Sequence, residues 1–258
     1  MEHNFKKKFG QNFLKDTNLL NAIVQDGGIS TQDEVLEIGA GAGALTKHLS
    51  LNAKRVVSYE IDLDLKSKLL DLGLNNVKFI FKDALKEPIE EIENNFEGNY
   101  KLVANLPYYI TSPLIFKFLQ ESKKLISMTI MVQKEVAERI IAKEGGKDYG
   151  ILSVMTQFYS VPKICRIVGR QMFYPAPNVD SAVVNLELNK TRFAINEKEF
   201  YEFIKKCFSM RRKTLLNNLQ GYKNFDKKQI GNLLKDFDLS KRPETFSLEK
   251  FVEMFKKF

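Results

Sequence analysis

A glycine-rich turn flanked by acidic residues is the first feature of this sequence that could bind a ligand. Residues 37–43 read E-I-G-A-G-A-G, after an apolar run and before a helical pattern. Glycines allow a tight turn and let a ligand approach the backbone. Two further carboxylates, Glu60 and Asp83, end the next two apolar runs. With Glu37 they are expected to converge on the turn, because the carboxyl ends of parallel strands meet at one edge of a sheet.

These acidic groups indicate which cofactor the turn would hold. The spacing G-x-G-x-G differs from the G-x-G-x-x-G of dinucleotide sites, and the surrounding carboxylates disfavour a diphosphate. They suit a cofactor with a sulfonium cation and a free ribose, which predicts S-adenosyl-L-methionine. Glu60 would accept both ribose hydroxyls, and Asp83 would accept from an adenine amino group. The alternatives are a helix cap or surface charge at Glu60, and at Asp83 a turn cap, which is compatible with binding adenine.

The sequence N-L-P-Y at residues 105–108 is the most specific short motif in the chain. An exocyclic amine of a nucleobase is a poor nucleophile, so it needs acceptors that hold its N–H bonds and direct its lone pair at a methyl donor. The side-chain oxygen of Asn105 and a main-chain carbonyl can do this. Pro107 stiffens the loop, and Tyr108 offers a ring to stack on an extruded base. The alternative is a rigid turn with a core tyrosine.

A second aromatic residue stands before a stiff loop later in the chain. Residues 173–177 read F-Y-P-A-P, and two prolines in three residues can hold an aromatic ring in place. Phe173 could therefore form the second face of a base sandwich. Taken alone, it is better interpreted as a core residue.

Strand-like apolar runs alternate with helical stretches, such as 44–51 and 63–70, in the first half of the chain. Such alternation predicts βαβ units and a parallel sheet, hence an α/β fold. Two later runs are expected to be strands that form an antiparallel edge, which makes seven strands in all. From about Lys198 the spacing turns helical, which predicts a small all-α C-terminal domain. The predicted strands are 35–38, 55–59, 77–81, 102–104, 127–132, 151–159 and 182–188.

The charge of the chain is concentrated in its last part. Of the 258 residues, 1–189 hold 23 Lys/Arg against 23 Asp/Glu, and 190–258 hold 17 against 9, so the segment 190–258 carries the whole net charge of +8. A neutral body with a basic appendage predicts a polyanion held by residues 190–258 and processed by residues 1–189. The alternative, equally compatible with charge alone, is that the lysines keep a helical tail soluble.

Composition argues against several other classes of protein. The two cysteines, Cys165 and Cys207, are far apart, and the only histidines are His3 and His48, so no metal site or disulfide framework is expected. No apolar run is long enough for a transmembrane helix or a secretory signal. A cytoplasmic protein without membrane or metal is the expectation.

With these motifs the sequence resembles the ribosomal RNA adenine dimethylase family. The resemblance spans nearly the whole chain, and the motifs occur in the family's order. It implies a Rossmann-like class I methyltransferase, with S-adenosyl-L-homocysteine as product, that dimethylates the N6 amines of two adjacent adenosines in a hairpin near the 3′ end of small-subunit (16S) ribosomal RNA. The matching segments are 9–14, the glycine turn, 105–108, 173–184 and 208–215.

The family pattern also assigns roles to individual residues. It implies that the segment up to about Leu14 folds over the cofactor. The chain departs from the pattern at Ala40, where many members have proline, and at Tyr109, where asparagine is common; only loop stiffness is expected to change. The implied cofactor contacts are Asn12, Leu14, Gly39, Glu60, Asp83 and Asn105. The implied target-base contacts are Asn105, Leu106, Tyr108 and Phe173, on a loop stiffened by Pro107.

Three basic residues of the last matching segment, Arg211, Arg212 and Lys213, are expected to lie near RNA phosphates; helix solvation is the alternative. A monomer that acts on the small ribosomal subunit is expected. Three other functions compete with this interpretation. A large-subunit methyltransferase of the antibiotic-resistance type would use the same chemistry, an assembly factor would keep the fold without catalysis, and a small-molecule methyltransferase would leave the basic segment unexplained.

Overall fold

The computed structural model describes residues 13–14, 16–189 and 193–258. The chain divides into two compact units. The first comprises the chain up to Ala137 together with Pro162–Leu188, and the second comprises Glu138–Val161 and Asn189–Phe258. The functional division into domains 1–189 and 190–258, which the charge pattern suggests, stays a prediction.

A seven-stranded mixed sheet organises the α/β part of the chain. Its order is β4-β3-β2-β5-β6-β9-β7, and β1 pairs separately with β8, where the strands are β1 (Phe13–Leu14), β2 (Glu34–Ile38), β3 (Arg55–Tyr59), β4 (Val77–Ile80), β5 (Tyr100–Asn105), β6 (Leu125–Gln133), β7 (Ser160–Val168), β8 (Phe173–Tyr174) and β9 (Ser181–Leu188). Strands β2 to β6 are parallel, and β9 is antiparallel to β6. The predicted α/β class with an antiparallel edge is confirmed.

The direction of strand order reverses between β2 and β5. From β2 the chain builds outward through β3 and β4 on one side, and through β5 and β6 on the other. Every residue of β2 is buried, as expected of a parallel strand covered on both faces. The carboxyl ends of β2 and β5 therefore flank the crevice in which open α/β sheets bind ligands.

Helices alternate with these strands along the chain, and the elements after β9 are all helical. Short 3₁₀ turns occur at Leu63–Leu65, Tyr108–Ile110, Arg170–Met172, Tyr222–Asn224 and Pro243–Thr245. No helix in the described ranges is long and apolar enough to cross a membrane. The helices are α1 (Thr17–Asp26), α2 (Ala44–Asn52), α3 (Lys66–Leu70), α4 (Ile89–Glu93), α5 (Thr111–Glu121), α6 (Lys134–Ile141), α7 (Ile151–Tyr159), α8 (Glu197–Cys207), α9 (Leu215–Leu219), α10 (Lys227–Leu233) and α11 (Leu248–Phe255).

The prediction of a strand at residues 151–159 was wrong, because this segment is helix α7. Its run of apolar, β-branched and aromatic residues has the composition of a buried strand as well as of a buried helix. Backbone carbonyls of α7 and of α6 accept the hydroxyl groups of this helix. The Thr156 hydroxyl donates to the Leu152 carbonyl at 2.7 Å, and the Ser153 hydroxyl donates to the Arg139 carbonyl at 2.5 Å. The strand beside β9 is β7, which begins at Ser160.

The helical C-terminal part begins at α8, as the residue spacing predicts. Asn196 caps this helix, its side-chain oxygen accepting the Glu199 N–H at 3.1 Å. Its predicted apolar face is buried. Phe200 packs edge-on against Phe255 of α11, with ring centroids 5.4 Å apart. Aromatic packing of this kind supplies the core of the second unit.

Candidate functional site

A cavity of about 340 Å³ lies at the carboxyl ends of the parallel strands of the first unit. Residues at or just beyond the ends of β2, β3, β4 and β5 line it. Its volume is in the range of sites for small organic cofactors. The lining brings together several residues that the sequence assigns to cofactor binding, namely Leu14, Gly39, Glu60, Asp83 and Asn105.

The glycine turn begins at a backbone conformation that side chains disfavour. Gly39 has φ of +83°, and its N–H donates to the Tyr59 carbonyl at 2.8 Å. A Cβ on Gly39 would lie 3.6 Å from the Asn105 carbonyl oxygen, so the ends of β2 and β5 are close together. The Ala40 N–H also donates to the Tyr59 carbonyl, at 3.2 Å, a bond that proline could not make at this position.

Glu60 joins the glycine turn to the end of β3. One carboxylate oxygen accepts the Gly41 N–H at 2.7 Å, and the other accepts the Asp62 N–H at 2.8 Å. Burial raises the pKa of Glu60, whose side chain lines the cavity with only 5% of the residue exposed. The backbone N–H groups of Asp62, Gly41 and Ile61 act in the opposite direction and favour the charged form. The carboxylate keeps acceptor capacity for a ligand hydroxyl, since its two oxygens offer more lone pairs than these backbone donors use.

Asp83 caps a turn at the edge of the cavity, and its contact with an adenine amino group stays a prediction. Its Oδ1 accepts the Leu85 N–H at 3.0 Å and so caps the turn after β4. Its other oxygen lies 4.0 Å from Lys86 Nζ, and the residue lines the cavity. The turn cap leaves acceptor capacity for an amino group.

Lys117 of α5 holds the turn that follows Asp83. Sequence reasoning missed this residue. Its ammonium group donates to the Leu85 carbonyl at 2.9 Å and also to the Glu87 carbonyl. The Asp83 turn is thereby joined to the helix that follows the N-L-P-Y motif. A lone lysine within an amphipathic helix gives no sequence signal for this contact.

The N-L-P-Y motif continues directly from β5 into the cavity wall. Leu106 is buried, and its N–H donates to the Met131 carbonyl of β6 at 3.3 Å. The Pro107 carbonyl accepts the Ile110 N–H at 3.1 Å and so closes a short 3₁₀ turn. Asn105, Leu106 and Pro107 all line the cavity.

The Tyr108 side chain is fixed at its hydroxyl end. Its ring lines the cavity, and its hydroxyl is hydrogen bonded to the Ser181 hydroxyl at 2.9 Å. Burial raises the pKa of the Tyr108 phenol, so the group stays neutral. Ser181 is the first residue of β9, and its role was not visible in the sequence. Tyr109 also lines the cavity but is 59% exposed.

Glu37 was expected to converge on the turn, but it does not line the cavity. It is fully buried, and its Oε2 accepts the Thr46 hydroxyl at 2.7 Å and the Ser58 hydroxyl at 2.5 Å. Its Oε1 has no hydrogen-bond partner. Burial raises the pKa of Glu37 to about 7. Because side chains alternate along a strand, the neighbour Ile38 faces the cavity instead.

Two other residues predicted to contact a ligand are not among the described residues that line the cavity. Phe173 is 5% exposed and packs in an apolar cluster with Leu14, with which it pairs across β8 and β1. It is not among the cavity-lining residues, so its contact with a target base stays a prediction. Asn12 lies outside the described residues.

The basic residues Arg211, Arg212 and Lys213 form an exposed turn between α8 and α9 in the second unit. The Arg211 guanidinium donates to the Lys147 carbonyl at 3.0 Å. Among the described residues there is no group of three or more His, Cys, Asp or Glu side chains arranged to hold a metal ion.

Comparison with known proteins identifies the family. The model of the ribosomal RNA adenine dimethylase family matches residues 2–257. A protein of Enterococcus faecalis named ribosomal RNA small subunit methyltransferase A is 43% identical, over 97% of this chain and 89% of its own length. A crystal structure of a dimethyladenosine transferase from Plasmodium falciparum is similar with a TM-score of 0.82 and 29% identity, covering 95% of this chain and 97% of the other.

A second solved structure is more distant. The 23S rRNA methyltransferase ErmE has a TM-score of 0.72 and 25% identity, over 95% of this chain and 99% of the other. These likenesses confirm the Rossmann-like methyltransferase fold. The family model covers almost the whole chain, including every described residue of the cavity. The chain therefore belongs to the ribosomal RNA adenine dimethylase family.

Proposed function

We propose that this chain transfers methyl groups from S-adenosyl-L-methionine to the N6 amines of two adjacent adenosines in a hairpin near the 3′ end of small-subunit ribosomal RNA. The observation that carries the proposal is one cavity lined both by the acidic strand ends and by the N-L-P-Y motif. The relative named for the small subunit is 43% identical, whereas the large-subunit enzyme ErmE is 25% identical. This difference favours the small subunit.

The cavity fits the proposed cofactor by the chemistry of its donors and acceptors. Glu60 would accept the ribose hydroxyls, Asp83 the adenine amino group, and the positive-φ turn at Gly39 would admit close approach to the backbone. Leu14, Asn105 and, from outside the described residues, Asn12 would complete the contacts. The bound cofactor supplies a methyl group activated on a sulfonium.

The remaining chemistry belongs to the N-L-P-Y motif. Asn105 Oδ1 and the Leu106 carbonyl would accept the two N–H bonds of the target amine and orient its lone pair. Tyr108, held by Ser181 at 2.9 Å, would stack on the extruded base, and Phe173 would contact its other face after a rearrangement. The cofactor would supply the methyl group for the new C–N bond and leave as S-adenosyl-L-homocysteine, and the amine proton would pass to solvent. Alignment rather than a titrating residue then provides the rate.

The basic turn Arg211–Lys213 would hold the RNA through its phosphates. We expect the protein to act as a monomer in the cytoplasm on the small ribosomal subunit. The separate roles of residues 1–189 and 190–258, cofactor binding with catalysis and RNA binding, are part of the same proposal.

The test is methyl transfer with labelled cofactor to undermethylated small subunits and to naked large-subunit RNA, followed by mapping of the modified bases. We expect two adjacent dimethylated adenines in small-subunit RNA. Asn105→Ala should abolish transfer, and Asn75→Ala, at an exposed loop position, should leave it unchanged.

Three results would contradict the proposal. Labelling of large-subunit RNA alone would identify the resistance-type reaction. Binding to subunits without any labelling would identify an assembly factor. Full activity of the Asn105→Ala protein would mean that the reacting site has been assigned wrongly.

A further inference from the structure

The exposed basic turn has a defined backbone geometry. The Lys213 N–H donates to the Met210 carbonyl at 3.0 Å, so Met210–Lys213 is a hydrogen-bonded turn with Arg211 and Arg212 at its two central positions. All three basic side chains of the turn are exposed. A turn with a mobile backbone would lose backbone as well as side-chain conformational entropy on binding a ligand, whereas a turn with a fixed backbone loses only the side-chain part.

One buried side chain fixes both ends of this turn. Asn218 of α9 is fully buried, and its Oδ1 accepts the Met210 N–H at 2.7 Å and the Ser209 hydroxyl at 3.0 Å. Its Nδ2 faces the carbonyls of Met210 at 3.3 Å, Lys213 at 3.4 Å and Thr214 at 3.2 Å. The first and last residues of the turn are therefore hydrogen bonded to the same amide.

Only an amide of this length provides what the turn requires. The site presents two donors to one oxygen and three carbonyl acceptors to one nitrogen, and the side chain of asparagine carries both an acceptor and a two-hydrogen donor. Aspartate would turn lone pairs toward the carbonyls, and an apolar residue would leave buried groups unpaired. Helix α9 does not depend on the Asn218 side chain for its N-terminal cap, because the Thr214 side chain caps its first turn.

We infer that Asn218 is a positioning residue, which holds the Arg211–Lys213 turn in the conformation that contacts RNA phosphates. The inference rests on the RNA-binding role proposed for this turn. The adjacent residue provides a matched control, because the Asn217 side chain donates to the Thr214 hydroxyl at 2.8 Å and not to a described residue of the turn.

The test measures binding of undermethylated small subunits by Asn218→Ala, by Asn217→Ala and by the triple variant Arg211→Ala, Arg212→Ala, Lys213→Ala. We expect Asn218→Ala to weaken binding roughly tenfold through lost preorganisation, and Asn217→Ala to have little effect. A milder variant, Ser209→Ala, removes one hydroxyl donor to Asn218 and should weaken binding about twofold. Thermal unfolding and cofactor affinity are measured for each protein.

A double-mutant cycle separates positioning from general stability. If Asn218 acts through the basic side chains, Asn218→Ala should weaken binding no further in the triple variant. An equal loss in both backgrounds, or wild-type binding by both Asn218→Ala and Ser209→Ala, would overturn the inference while leaving the role of the turn intact. Wild-type binding by the triple variant would instead overturn the proposed RNA contact itself.

Discussion

Glu60 links protein backbone and proposed ligand through one carboxylate. Its two oxygens accept the N–H groups of Gly41 and Asp62, and the remaining acceptor capacity would serve the ribose hydroxyls of the proposed cofactor. In Glu60→Gln, an amide NH₂ would face one of these backbone donors. Since hydrogen bonds to a charged group contribute about 1.5–3 kcal/mol, we expect the cofactor dissociation constant to rise roughly 10- to 100-fold. Isothermal titration calorimetry measures it.

The control for this substitution is Glu121→Gln, which makes the same chemical change at an exposed position at the end of α5. Cofactor affinity there should equal that of the wild type. Unchanged affinity in Glu60→Gln would exclude Glu60 from the cofactor site.

Glu37 predicts a pH dependence of stability instead of a contact with the ligand. Its pKa is about 7 in the folded protein against an ordinary value of 4.5, because burial disfavours the charge. Between these values the folded state holds a proton that the unfolded state has released, so the free energy of unfolding falls as pH rises from about 4.5 to about 7. The loss is on the order of 3 kcal/mol for this one group.

Glu37→Gln should remove that dependence, because a neutral amide keeps an oxygen acceptor for the hydroxyls of Thr46 and Ser58. The free energy of unfolding of the variant minus that of the wild type should therefore increase from pH 5 to pH 8. Urea unfolding at the two pH values measures the difference. Parallel changes in both proteins would show that Glu37 does not titrate in this range.

The sequence indicated which residue types form the site, but it did not indicate which way their side chains point. Glycine, glutamate and asparagine at strand ends were sufficient to place Gly39, Glu60 and Asn105 together. Glu37 could not be placed, because the register that turns it toward Thr46 and Ser58 depends on how β2 pairs with β3. The burial of Phe173 likewise follows from its pairing with Leu14, which no local pattern encodes.

At the scale of elements, short apolar runs predicted the parallel strands well, and the prediction failed where a strand and a helix can have the same composition. Strands β2 to β6 are short apolar runs that end at polar or glycine residues. Runs of this length favour a strand over a helix. The composition of Ile151–Tyr159 suits a strand and a helix equally, because a hydroxyl such as that of Thr156 can also bond within a helix. The side-chain contacts between elements, such as those of Lys117, depend on the tertiary fold alone.

Lys117 yields a prediction about how two elements support the site. Lys117→Met would keep most of the side-chain volume but leave the Leu85 and Glu87 carbonyls without this donor. We expect the Asp83 turn to shift and the cofactor dissociation constant to rise about tenfold, together with a stability loss of about 1–3 kcal/mol. Calorimetry and urea unfolding measure the two effects.

Lys123→Met is the matched control, because Lys123 is exposed just beyond the end of α5. It should change neither quantity. Normal cofactor affinity in a destabilised Lys117→Met protein would show that Lys117 stabilises the fold without positioning the Asp83 turn.

At the scale of the whole molecule, the separation of charge is the property that the sequence showed most directly. The balanced segment 1–189 contains every described residue of the cavity, and the segment 190–258 carries the net +8. Counting charges could not show which lysines and arginines matter. The turn at Met210–Lys213 singles out three, since it presents them together on a fixed backbone.

Charge reversal of Arg211, Arg212 and Lys213 to glutamate should therefore weaken RNA binding and flatten its dependence on salt. Each phosphate contact contributes about 0.7 for single strands and about 0.9 for duplex to the slope of log affinity against log salt, so the loss of three contacts lowers the slope by about 2 to 3. Reversal of three exposed lysines elsewhere in the same unit, Lys227, Lys228 and Lys256, makes an equal change in net charge. If the turn makes the contacts, this control should change the slope far less, and both variants should bind cofactor normally. Equal flattening in the two would mean that diffuse attraction, rather than the turn, holds the RNA.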